Sequence, residues 1–98
     1  MIYIDQPVGT GFSYGTSLLE KMDDAADEFV FLMKKIFAEF PQLAEKDLYM
    51  TGESYAGKYI PRFSWAMHED GSFNLKGSLI GDPYTAPLTQ RTHTYILP

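Results

Sequence analysis

The chain has 98 residues, 45% of them apolar and 21% charged, with a formal net charge of −5; this is the balance of one small globular domain at most. The eight Lys and Arg are scattered and no apolar run reaches the length of a membrane span, so neither a nucleic-acid groove nor a membrane association is expected. There is no cysteine, which excludes a disulfide scaffold, a Cys-type zinc site and a thiol nucleophile, and leaves His68 and His93 as the two imidazoles.

In chain order, Met1 to Asp5 reads as a short strand, with Ile2 and Ile4 flanking Tyr3 and Pro7 closing the run. A start on an apolar strand residue, with no leader pattern before it, suggests a chain that begins mid-domain. Gln6 to Thr16 is a glycine-rich loop. Its aromatics, Phe12 and Tyr14, argue for packing rather than free solvation. Ser17 to Phe40 has the apolar spacing of an amphipathic helix, at Met22, Ala25, Ala26, Phe29, Val30, Met33, Ile36, Phe37 and Phe40. Ser17 with Glu20 fits a capping box, the acids gather early and Lys34 and Lys35 late as the macrodipole favours, and Pro41 ends the run.

Asp47 to Thr51 reads as a second strand. A helix follows from about Tyr55 to His68, bent by Pro61. Gly71 sits in the next turn, and Leu75 to Ile80 is a third strand ended by Gly81-Asp82-Pro83. Tyr84 to Pro98 carries prolines and threonines and receives no regular element. The order strand, helix, strand, helix, strand predicts an α/β fold of about three parallel strands with two crossover helices. Both helices would then cover one sheet face. Parallel strands are normally buried on both faces, so the elements describe part of a domain spanning 1–98.

The chemistry-bearing segment is Thr51-Gly52-Glu53-Ser54-Tyr55-Ala56-Gly57. It places a serine between small residues at a strand-to-helix turn, as a nucleophile elbow requires. The turn is so tight that the residues two before and two after the serine must be small, and here they are Gly52 and Ala56. The hydroxyl is then lifted above the strand end, and the N–H of Tyr55 at the helix start could stabilise an oxyanion. An ordinary turn with Ser54 as helix N-cap is the competing reading, and spacing alone leaves both open. The second small residue is Ala, a departure from strict Gly-x-Ser-x-Gly.

Taken together, Gly52-Glu53-Ser54-Tyr55-Ala56-Gly57-Lys58-Tyr59-Ile60-Pro61 resembles the active-serine signature of the serine carboxypeptidases, of α/β-hydrolase fold. Asp5-Gln6-Pro7-Val8-Gly9-Thr10-Gly11-Phe12-Ser13-Tyr14 resembles a second signature of that family, and Leu79 to Gln90 resembles the segment after the next strand. The matches follow family order and spacing over nearly the whole chain. Asp82 departs from the Asn usual there. The resemblance implies removal of C-terminal residues from peptides or proteins through an acyl-enzyme on Ser54, with Tyr55 supplying an oxyanion-hole N–H and Glu53 binding the substrate carboxylate. It implies a lysosomal, vacuolar or secreted parent and no cofactor.

The resemblance also places a glycine-rich oxyanion segment before Met1, the catalytic Asp and His after Pro98, and a further strand between those at Met1–Asp5 and Asp47–Thr51. The chain is therefore expected to be an inactive fragment that needs the remainder of the parent domain. His68 falls three to four turns from Ser54, roughly 20 Å at 1.5 Å per residue, and His93 lies in a polar tail, so neither is carried over as the base. A fold-sharing acyltransferase and a non-catalytic interaction fragment are the alternatives. The glycines at 9, 11 and 15 lack the helix and spacing of a dinucleotide loop. The acids Asp23, Asp24, Asp27 and Glu28 read as a solvated helix face, and no metal ligand set is expected.

Overall fold

The computed structural model describes residues 1–93. Its elements are α1 (Met22–Glu39), α2 (Pro41–Ala44), β1 (Leu48–Glu53), α3 (Ala56–Asp70), β2 (Leu75–Gly81) and α4 (Pro87–His93). β1 and β2 pair in parallel, with Met50 opposite Ser78, Gly52 opposite Ile80 and Glu53 opposite Gly81. The register shifts between Leu48 and Tyr49. A parallel pair needs a crossover, and α3 supplies it.

α3 packs on both strands, and α1 packs on α3. The seam is the predicted apolar stripe. Ala25, Ala26 and Met33 from α1, Ile60, Phe63 and Met67 from α3, and Met50 from β1 form the buried core. Phe29 stacks on Phe63 with ring centroids 4.5 Å apart. Arg62 donates to Asp23 at 2.7 Å, and Lys34 to Asp70, so the two helices lie side by side in the same sense. Asp23 holds the Arg62 guanidinium above its ordinary range. The second sheet face is open: Tyr49 and Leu79 stand there more than half exposed, as the one-sided helix cover predicts.

Besides Phe12 and Tyr14, which were expected to pack and stand almost wholly exposed, three expectations are corrected. Among the described residues the sheet has two strands, not three, because Met1–Asp5 is extended coil. A strand exists by its ladder, and this segment has none. Between it and the free edge of β1 lies a groove of ≈ 670 Å³, lined by Ile2, Ile4, Phe29, Met33, Met50 and Phe63 among others. One crossover helix, α3, therefore links paired strands, and α1 does not.

The second correction is at the start of α1. It begins at Met22, with Lys21 as N-cap and no side-chain cap bond, so the Ser17–Glu20 capping box does not form. Leu18 and Leu19 would extend the apolar stripe by a turn, but Leu19 packs against the core from outside the helix; packing, more than capping, decides helix length. The third is α4, which forms within the tail left without an element. Pro87 stands at its start, where a missing N–H costs nothing. Residues 94–98 of that tail lie outside the described residues. α3 runs to Asp70 and stops at Gly71, whose φ of 73° and N–H to Met67 O (3.1 Å) make a left-handed C-cap.

The fold is open for its size. The surface of 7581 Å² exceeds the roughly 5,700 Å² of a compact monomer of this mass. The radius of gyration of 15.2 Å exceeds the about 13 Å of a compact 98-residue domain. No helix among the described residues is long and apolar enough to cross a membrane.

Candidate active site

Ser54 sits where β1 becomes α3, at the carboxyl end of the parallel sheet. Its φ is +56°, a left-handed conformation that costs a non-glycine residue about 1 kcal/mol or more. Strain of this kind persists only where the surroundings impose it. Here they do: Ser54 N–H donates to Gly81 O at 3.0 Å, and Ser54 C=O accepts from Gly57 N–H at 3.0 Å and from Tyr84 N–H at 2.8 Å. Both backbone groups of the strained residue are satisfied.

Sterics explain the small residues around it. A Cβ on Gly52 would stand 2.5 Å from Ala56 Cβ and 2.8 Å from Ile60 Cδ1. A Cβ on Gly57 would stand 2.8 Å from Tyr84 N and 2.9 Å from Pro83 Cβ. Gly52 thus lets α3 fold back onto β1, and Gly57 lets the loop after β2 lie on the first turn of α3.

The N-cap of α3 is Tyr55, and no side chain caps it. The reading of Ser54 as an N-cap is therefore not realised. The Ser54 hydroxyl is exposed, without a hydrogen-bond partner among the described residues, and the Tyr55 N–H takes no part in the backbone bonds that fix the turn. Glu53, the last residue of β1, is exposed beside them. The Tyr55 ring stacks on Tyr84 (6.2 Å) and meets Tyr59 edge-on (5.2 Å). The structure thus brings Glu53, Ser54 and Tyr55 together on one turn. His68 lies in the last turn of α3, at the opposite end of the helix, beside Trp65. His93 ends α4, and its side chain lies outside the described residues.

This strand, strained serine and helix coincide with the family comparison. The serine carboxypeptidase profile matches residues 1–96. The chain belongs to the serine carboxypeptidase family. Among similar proteins are the pheromone-processing carboxypeptidase KEX1 of Verticillium alfalfae, 41% identical over 92% of this chain and 16% of that protein; a carboxypeptidase Y homolog A of Uncinocarpus reesii, 43% identical over 95% and 18%; and serine carboxypeptidase-like 49 of Arabidopsis thaliana, 42% identical over 92% and 19%. The crystal structure of Kex1Δp, a prohormone-processing carboxypeptidase of Saccharomyces cerevisiae, superposes with a TM-score of 0.81 at 29% identity, covering 98% of this chain and 25% of that one. The chain spans under a fifth of the length of these curated relatives. Its two strands and crossover helix are part of an α/β-hydrolase fold.

The second family signature forms a closed loop of its own. Asp5 accepts Phe12 N–H on its carboxylate (2.9 Å) and the Ser13 hydroxyl on its carbonyl (2.7 Å), while Gly9 N–H reaches Ser13 O (3.1 Å). Gly11 faces the Asp5 carboxylate with no room for a side chain. Sequence reasoning missed the part played by Gly57, Tyr84 and Gln90 in holding the turn. The signal was present, since the third matching segment contains Tyr84 and Gln90, but no spacing rule ties them to Ser54. No group of three or more His, Asp or Glu among the described residues could hold a metal ion.

Proposed function

We propose that the 98-residue chain is the nucleophile-bearing part of a serine-type carboxypeptidase that releases C-terminal residues from peptides through an acyl-enzyme on Ser54. The observation that carries this reading is the positive φ of Ser54 at the carboxyl end of a parallel strand. An ordinary helix start has no use for a strained residue whose side chain caps nothing. Tyr55 N–H is one donor to the oxyanion that forms when Ser54 Oγ attacks the scissile carbonyl. Glu53 binds the terminal carboxylate of the substrate. Two carboxyl groups share a hydrogen bond only when one holds a proton, so substrate binding weakens as pH rises.

A serine hydroxyl needs a base to take its proton. His68 stands at the far end of α3, so the base and its acidic partner come from the rest of a longer polypeptide. The chain's share of its relatives' length, 16 to 19%, and its open surface support that reading. The groove beside β1 supports a further strand of the same domain packing there. The parent is an acid exopeptidase of a lysosome, vacuole or secreted space. The carboxypeptidase names of the relatives favour water over an alcohol as the acyl acceptor.

The test uses a polypeptide of the relatives' length that contains this segment, assayed at acid pH on a blocked dipeptide. Turnover and covalent labelling by a fluorophosphonate are both expected, with the label on Ser54 by peptide mass, and both are lost in Ser54→Ala. Retained turnover in Ser54→Ala refutes the assignment. The isolated 98-residue chain is expected to be inactive; turnover by it that disappears in Ser54→Ala refutes the need for a parent.

A further inference from the structure

Resting on that reading of Ser54, we propose that Gln90 is a positioning residue for the nucleophile, acting through the loop Asp82–Ala86. The loop after β2 reverses at Asp82, which has a φ of +39°, and returns over the first turn of α3. There Tyr84 N–H meets Ser54 C=O at 2.8 Å. This bond joins the elbow to a different part of the chain, whereas the Gly57 bond to the same carbonyl belongs to the local turn. The Asp82–Ala86 loop has no ladder or helix to hold it, and three bonds from one side chain do so instead. Gln90 Oε1 accepts from Thr85 N–H (3.0 Å) and Ala86 N–H (2.9 Å), and Gln90 Nε2 donates to Pro83 O (2.8 Å). A primary amide donates and accepts at once at any pH, which a carboxylate does not.

The loop is held from the other side by Lys58, whose Nζ donates to Thr85 O (3.3 Å) and lies 5.8 Å from the centre of the Tyr84 ring. Gly57 admits it, since a Cβ there would overlap Tyr84 N. A chain of contacts therefore runs from Gln90 on α4 to Pro83–Ala86, then through Tyr84 N–H to the carbonyl of the strained serine. Loosening the first link lets Ser54 relax from its left-handed conformation and swings the hydroxyl away from the scissile carbonyl. Displacements of about 1 Å at a reacting group lower rates by as much as about 100-fold. Gln90 touches no reacting atom, so its loss falls on kcat.

The experiment uses the full-length polypeptide containing this segment, with Gln90→Ala, Gln90→Glu and, as an exposed side-chain link elsewhere, Asn74→Ala, which removes the bond to Asp47 (3.0 Å). Gln90→Ala is expected to lower kcat about tenfold with KM within about twofold, on the same displacement argument. Gln90→Glu keeps both acceptor bonds and donates to Pro83 O only when protonated, so it recovers part of kcat. Asn74→Ala leaves kcat unchanged whatever it does to the melting temperature. Amide exchange in the unsubstituted protein gives a readout that needs no variant: Tyr84 N–H is protected. Unchanged kcat in Gln90→Ala, a raised KM at constant kcat, an equal kcat loss in Asn74→Ala, or a freely exchanging Tyr84 amide each overturns the proposal. Ser54→Ala separates the two readings: activity surviving it refutes the nucleophile assignment itself, while activity lost there but intact in Gln90→Ala refutes the positioning role alone.

Discussion

Two parts of the chain carry family signatures of similar length, and they behave differently. The unit β1–α3–β2 closes on itself: its strands pair, its helix buries Ile60, Phe63 and Met67, and its serine turn is bonded on both backbone sides. The segment 1–21 closes only its loop. The Thr10 hydroxyl donates to Pro7 O, Phe12 N–H to the Asp5 carboxylate and the Ser13 hydroxyl to Asp5 O, yet Met1–Asp5 pairs with no strand, and Phe12 and Tyr14 are almost wholly exposed. A turn can be specified by its own few residues. A strand needs a neighbour, and its pattern of apolar residues says that it will pair without supplying the partner.

Five substitutions sharpen that contrast. The largest effect is expected from Phe63→Ala, which empties the centre of the closed unit; Phe63 is 2% exposed, and such deletions cost about 4 kcal/mol. Phe12→Ala, at 97% exposure, should change stability by under about 0.5 kcal/mol. Denaturant melts of the two variants side by side measure the difference, and equal midpoints would erase the distinction between the regions. Next, Gly52→Ala drives a methyl into Ala56 and Ile60 and should cost about 2 kcal/mol; an unshifted midpoint would mean that β1 and α3 are not in contact at the elbow.

Ser54→Gly comes third and has the opposite sign. Glycine adopts a φ of +56° freely, so this variant should gain up to about 1 kcal/mol while losing the hydroxyl. Lower stability would show that Ser54 is not strained. The smallest effect lies at Asp70, whose carboxyl is held below its ordinary value of 3.8 by hydrogen bonds from Lys34 and then Ser72. The folded state binds this proton less tightly than the unfolded one, so the pair's contribution is complete above that value and fades as pH drops through the lowered one. Lys34→Met should narrow the stability gap between neutral and acid solution. A pH profile identical to that of the unsubstituted chain would mean that the ion pair is without effect.

Much of this was legible in the residues. The apolar stripe from Met22 to Phe37 and the Gly71 stop follow from periodicity and from backbone freedom. The elbow follows from the small residues at 52 and 56. The chain's end was harder: Pro87 and the threonines read as breakers, although a proline at a helix start breaks nothing. The capping box at Ser17 was legible but not realised: Leu19 reaches the core without a helical turn there. The Met1–Asp5 strand was misjudged for a reason outside its own five residues. The roles of Gly57 and Gln90 were invisible, since they depend on a loop returning from thirty residues away in sequence to touch the serine backbone.

Gly52 and Ala56 face each other across the elbow with room for a single methyl between them. At 52 the bend leaves no space for a side chain, since a Cβ there would meet Ile60 as well as Ala56, whereas at 56 it admits one methyl. The alanine in this protein uses the whole of that allowance, which is why a pattern requiring glycine on both sides of the nucleophile would pass over a bend that is sterically complete.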